Sequence, residues 1–333
     1  MTENPEPEPT DVAARYRALT NGTRQWLSYH FAEGRITTFG RQLQRALAAC
    51  DAKLPGTGER FVREFAAIRY VPTRDDPDKW RKGYEQLVQK LAEILVTRVL
   101  LDADWPAGTT FQIEPANPVT GGRPDLVVDT PNRQWLFEVK CPSSIEHQER
   151  RAERGHQIPV RGPIGAVPGI RADATLPRDN TLKDFLASAD TKFCDFSAQT
   201  RTGILVVLWD GYIFEATSAL SHEDAGLLTP NSWLHDANGR VAFDAVDGVV
   251  VLNHLEILKL APQEQPIRRD DPFTIGGEGQ PPNVWCPNLG RGNLDPLVAV
   301  IFDAAPIGDL VAADYTPKDY VMWLNLDRDR DRG

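Results

Sequence analysis

Three apolar segments, TFQIEP (110–115), PDLVVD (124–129) and WLFEVKCP (135–142), follow one another at short range and limit what this chain can become. Each has the length and β-branched or aromatic content of a strand, and the connectors, ANPVTGGR and TPNRQ, are rich in turn formers. A parallel crossover needs a dozen or more residues. The three segments are therefore expected to form an antiparallel meander.

Helical patterns flank this meander. Upstream, DKWRKGYEQLVQKLAEILVTRVLLDADW places Tyr84, Leu87, Val88, Leu91, Ile94 and Leu95 on one stripe at the 3.6-residue period. Downstream, TLKDFLASADTKFCDFSAQTR carries Leu182, Phe185, Leu186, Ala189, Phe193 and Phe196 at the same spacing, after capping candidates Asn180 and Thr181. GILVVLWDG (203–211) then reads as a further strand. The predicted order is helix, three strands, helix, strand, an α/β arrangement.

Around this core the reading is coarser. Residues 1–10 are expected to be a disordered tail, 11–75 a helical accessory region, 76–215 the core and 216–333 a strand-rich extension. That extension includes DGVVVLNHLEILKL, PLVAVIF and DYVMWLNL as strand-like runs. It can extend the same sheet or form a small second domain. Residues 143–180 interrupt the core with Pro, Gly and six arginines, and a loop of that length inside a compact domain usually has a function or is disordered.

Composition excludes some classes. No apolar run approaches the roughly 18–20 residues of a membrane span, and the acidic, Pro-rich start does not resemble a signal peptide. A cytoplasmic protein is expected. Four scattered cysteines with no CxxC pair argue against a zinc ribbon or a disulfide framework. The formal charge of −10 opposes a passive nucleic-acid coat, although a local basic groove is compatible with it.

The chemistry concentrates in the third segment. On a strand, Leu136, Glu138 and Lys140 share one face, and burying two charges is costly unless they are paired or bind metal. An edge-strand ion pair accounts for an isolated ExK. Asp125 changes the balance, because it opens the neighbouring strand with twelve residues between it and Glu138. Two converging carboxylates beside a lysine make a hard-oxygen site suited to Mg²⁺.

PD-x12-EVK in this setting resembles the PD-(D/E)xK nuclease superfamily, whose fold is restriction-endonuclease-like, over roughly residues 80–212. FEVKCPSS is also similar to the active-site strand of the lambda-exonuclease branch, although that branch passes more directly from this strand to the next helix. The resemblance implies a Mg²⁺-dependent deoxyribonuclease, with Mn²⁺ as a substitute, serving restriction, phage defence or DNA repair. It also implies Asp125 and Glu138 as metal ligands and Lys140 as the residue that assists the attacking water. From the preceding helix it implies one further acid. Glu85 is preferred there to Glu93, which falls nearly opposite the centre of the apolar stripe at 100° per residue.

From the following helix the family often directs a Lys or Gln, here Lys192 or Gln199, with Gln199 as the supporting residue and Lys192 as a phosphate contact. Arg150, Arg151, Arg154 and Arg161 of the basic loop are expected to follow the DNA backbone. DNA is the expected partner, with a homodimer or a defence complex as the candidate assemblies and no membrane. A trigger-dependent nuclease effector and a non-catalytic binding or assembly subunit of the same fold remain the alternatives.

Weaker signals add little. Asp129 shares the face of Asp125 but lies about 14 Å along the strand, and is expected at the turn. His147 and His156 match no ordinary zinc spacing, and IGGEGQPPN lacks the lysine and setting of a phosphate-binding loop.

Overall fold

The computed structural model describes residues 10–20, 26–68, 77–117, 121–143, 156–157, 174–175, 179–194, 196, 200–209, 213–222, 226–232, 234–277, 280, 282–291 and 295–307. Residues 1–9 of the tail expected at 1–10, most of the basic loop, and DYVMWLNL lie outside them, while Thr10 is the first residue of a helix.

Seven strands form one mixed sheet: β1 (Thr110–Ile113), β2 (Leu126–Thr130), β3 (Arg133–Lys140), β4 (Arg201–Leu208), β5 (Gly248–Leu252), β6 (Asn283–Pro287) and β7 (Ala304–Pro306). Their spatial order follows the chain from β1 to β7. β1, β2 and β3 pair antiparallel, β4 lies parallel to β3, and β5 parallel to β4. β6 then runs antiparallel to β5, and β7 parallel to β6. The α/β class and the order helix, three-strand meander, helix, strand are both present. The extension continues the same sheet.

The helices are α1 (Thr10–Thr20), α2 (Thr38–Lys53), α3 (Thr57–Ala67), α4 (Pro77–Asp102), α5 (Asp179–Phe193), α6 (Ile213–Ser221), α7 (Leu255–Leu260) and α8 (Pro296–Ile301). They cover both faces of the sheet, which explains the composition of β4. Ile204 to Leu208 are wholly buried, the continuous apolar run expected of a strand with no wet face. Alternate residues of β3 feed two cores. Trp135, Phe137 and Val139 join α2, α3 and α4, whereas Leu136 joins Leu182, Leu186, Ala189 and Phe193 of α5. Each such side chain contributes about 1.5–3 kcal/mol by leaving water.

Three local expectations are corrected. PLVAVIF is not a strand: Pro296–Ile301 is helical, capped by Asp295, whose side chain accepts from Leu297 N–H, with Pro296 at the first helical position. DGVVVLNHLEILKL is a strand only to Leu252, and its second half is α7. Within the accessory region expected to be helical, Trp26–Tyr29 is one short 3₁₀ turn and Phe31–Ala32 a two-residue strand. No helix among the described residues is long and apolar enough to cross a membrane.

Candidate active site

The site is built where β2 begins and β3 ends. Leu126 pairs with Phe137, so continuing the antiparallel register by one residue sets Asp125 directly across from Glu138. Opposed residues of an antiparallel pair share a face. Asp125 is fixed there by Val139 N–H, which donates to its Oδ2 at 2.6 Å.

Glu138 is completely buried. Its Oε1 receives Lys140 Nζ at 2.6 Å and also the ammonium of Lys192, which reaches over from α5. Its Oε2 is buried with no hydrogen-bond partner among the described residues. A buried carboxyl oxygen left in this state costs free energy comparable to an unmade hydrogen bond.

The electrostatics follow from this crowding. Burial, reinforced by Glu138 and Glu93, pushes the Asp125 carboxyl well above the usual carboxylate range, with Val139 N–H and Lys192 opposing. Burial alone would depress the Lys140 ammonium, but Glu138, then Asp125 and Glu93, outweigh it and raise its pKa. Lys140 is therefore held as a cation in the resting site. It can donate to and neutralise an anionic oxygen.

Glu93 occupies a place the helical wheel did not give it. Residues 91–97 of α4 are all buried, because the helix packs on the sheet and on α2 and α3 as well. A helix with partners on more than one side has no wet face at its middle, so position opposite the apolar stripe does not mean exposure. Glu93 is consequently buried, its carboxyl raised by desolvation, with Lys90 Nζ at 2.5 Å and Gln89 Nε2 at 3.0 Å.

Glu85 sits elsewhere. Its carboxylate accepts from Ser143 Oγ, and it lines a cavity of about 240 Å³ with Tyr84, Gln89, Cys141, Pro142 and Lys259. The three expected metal carboxylates are thus split: Asp125 and Glu138 face each other, while Glu85 is held at the segment beyond β3. Among the described residues, the one group of three carboxylates with oxygens mutually within 4.8 Å is Glu64, Glu93 and Glu114. Arg60 and Lys90 fill it with cations.

Lys192, expected to contact phosphate, is directed into the site and meets Glu138 there. Gln199, Arg150, Arg151, Arg154 and Arg161 lie outside the described residues. Asp129 is in β2 rather than the turn, held by Gln112 and Gln134 at 3.0 and 2.7 Å.

One polar residue at the site was not anticipated. Gln89 donates to Val139 C=O at 2.8 Å and accepts from Cys141 N–H at 3.0 Å, and so flanks Lys140 on both sides. The available signal was spacing: Glu85, Gln89 and Glu93 are four apart and stack along one ridge of α4.

The donor set suits a hard divalent cation. Asp125 and Glu138 offer oxygen ligands, the unpartnered Oε2 has spare acceptor capacity, and the burial and then the Glu138 repulsion that raise Asp125 are the kind of strain a bound cation relieves. No protein-family model, curated protein or solved structure matches this chain.

Proposed function

We propose that this protein is a divalent-metal-dependent nuclease hydrolysing phosphodiester bonds of DNA, on a core of the restriction-endonuclease type. The observation that carries the reading is Asp125 set across from Glu138, with Glu138 Oε2 buried and unpartnered among the described residues, beside Lys140. The PD-x12-EVK spacing and the helix, meander, helix, strand order support it.

Asp125 and Glu138 would hold Mg²⁺, or Mn²⁺ in its place. Such an ion, when bound, acidifies a coordinated water and stabilises charge on phosphate oxygens. Lys140 donates to the attacking water or a non-bridging oxygen, and Lys192 supplies a second positive charge on the α5 side. Gln199 and the arginines at 150, 151, 154 and 161 are assigned to phosphate contact. The reading places the protein in the cytoplasm, in restriction, phage defence or DNA repair, as a homodimer or part of a larger assembly.

Supercoiled, linear and single-stranded DNA, and RNA, are to be incubated with the protein in Mg²⁺, Mn²⁺ or EDTA, beside Asp125→Ala and Lys140→Ala. Cleavage that needs metal and is lost in both variants is the expected result. Cleavage that survives both substitutions sinks the assignment.

A second reading rests on a different observation, that both lysines already neutralise Glu138. It makes the charges a structural triad in a non-catalytic nucleic-acid-binding subunit. Metal-independent DNA binding without cleavage under every condition selects it.

A further inference from the structure

We infer that Gln89 is a positioning residue for Lys140, holding the peptide groups on either side of it so that the ammonium is aimed at the Asp125–Glu138 pair. Its part in catalysis rests on the nuclease reading; its part in orienting Lys140 does not. β2 starts at Leu126, opposite Phe137, so among the described residues the edge of β3 beyond Phe137 has no partner strand on that side. Backbone groups there need other partners.

Two side chains supply them. Asp125 Oδ2 accepts from Val139 N–H, and Gln89 Nε2 donates to Val139 C=O. Gln89 Oε1 then accepts from Cys141 N–H. An amide, with donor and acceptor at one end, bridges Val139 C=O and Cys141 N–H as one residue of a neighbouring parallel strand would. The peptide groups flanking Lys140 are thereby tied to α4, and with them the direction of its Cα–Cβ bond. Gln89 is tied in turn, since its Nε2 also donates to Glu93. A leucine or alanine at 89 would leave Val139 C=O and Cys141 N–H without these partners.

The experiment compares acetic anhydride labelling of Lys140 and Lys192, read by peptide mass spectrometry, in the wild type, Gln89→Ala and Gln89→Glu. The two lysines are equally exposed, at 24% and 25%, and contact the same Glu138 oxygen from different elements. Lys192 is therefore an internal control for general loosening. Lys140 labelling at least about threefold faster in Gln89→Ala, with Lys192 unchanged, is expected. Gln89→Glu keeps the acceptor for Cys141 and loses the donor for Val139, so it should fall between, and it serves if the alanine variant does not fold.

Unchanged Lys140 labelling overturns the inference, as does a parallel rise at both lysines. On cleaved DNA, a kcat loss of about 10–100-fold with unchanged KM is expected. If the wild type cuts no nucleic acid, the nuclease reading falls, and the labelling ratio still decides the role of Gln89.

Discussion

Lys192 of α5 and Lys140 of β3 place their ammonium groups on the same oxygen of Glu138, Lys192 from 54 residues beyond that glutamate. A wholly buried carboxylate is thus neutralised by two chains of contact, one within its own strand and one across the sheet face. Lys192→Ala removes one of them. Breaking a buried pair costs about 3–5 kcal/mol, and the partial exposure of both lysines lowers the expectation here to about 1–3 kcal/mol. Lys140→Ala should cost a similar amount, and in Glu138→Gln the effect of Lys192→Ala should largely vanish. Urea unfolding of the single and double variants checks this; additive losses would mean the two lysines do not share the charge.

His254 sets an acid limit on stability. It is buried, and its Nε2 lies 2.7 Å from Pro272 C=O. Desolvation first, and Arg269 as well, lower its pKa from 6.5 to about 4, against the raising effects of that carbonyl and Asp271. The unfolded chain therefore binds a proton between those values and the folded chain does not, so stability rises with pH across that window. On acidification from pH 6.5 to 4, about 3 kcal/mol of stability should be lost through this residue. In His254→Gln, whose amide can still donate, the same titration should flatten. An unchanged acid slope in that variant would assign the effect to other groups.

The thiols should divide into two classes. Cys50 and Cys286 are buried, and burial raises both to about 12. Cys194 is exposed and Cys141 partly so. Since the thiolate reacts, a chromogenic thiol reagent should modify Cys194 first and Cys141 more slowly in the native protein. Cys50 and Cys286 should react only after denaturation. Four equally fast native thiols would contradict the packing.

Gly203 is expected to tolerate no side chain. A Cβ built there would stand 2.2 Å from Ala245 C=O and 2.7 Å from the Phe193 ring. Its N–H also donates to Asp247 Oδ2 at 2.7 Å, so β4 cannot easily move away. Gly203→Ala should destabilise by about 2–4 kcal/mol, in the range of overpacked cores. A thermal midpoint indistinguishable from wild type would refute that.

Much of the fold was legible because the local signals agreed with one another. The connectors around Pro124–Asp129 are too short for anything except antiparallel pairing, and Leu182, Leu186, Ala189 and Phe193 form the buried stripe that their spacing announces. PLVAVIF misled because β-branched residues outweighed the Asp295–Pro296 cap that marks a helix start. The Asp125–Glu138 juxtaposition was readable from strand pairing alone. Glu93 was not, since its burial depends on helices packing on α4 from more than one side. Gln89 was hidden for a related reason: its task exists only because β2 stops short of the end of β3.

The sheet is laid down in the same order as the chain, from β1 to β7. Each strand therefore finds its hydrogen-bonding neighbour in the strand synthesised just before it, and no gap is held open for a later arrival. Every member of the charged group is on hand once Arg201–Leu208 has emerged, well before β5. The arrival of β5 closes the open flank of β4, which would otherwise offer its edge to other chains. Without β5 the edge of β4 would stand open, so the strands after Leu208 do more than enlarge the sheet: they bury the strand that backs the charged site.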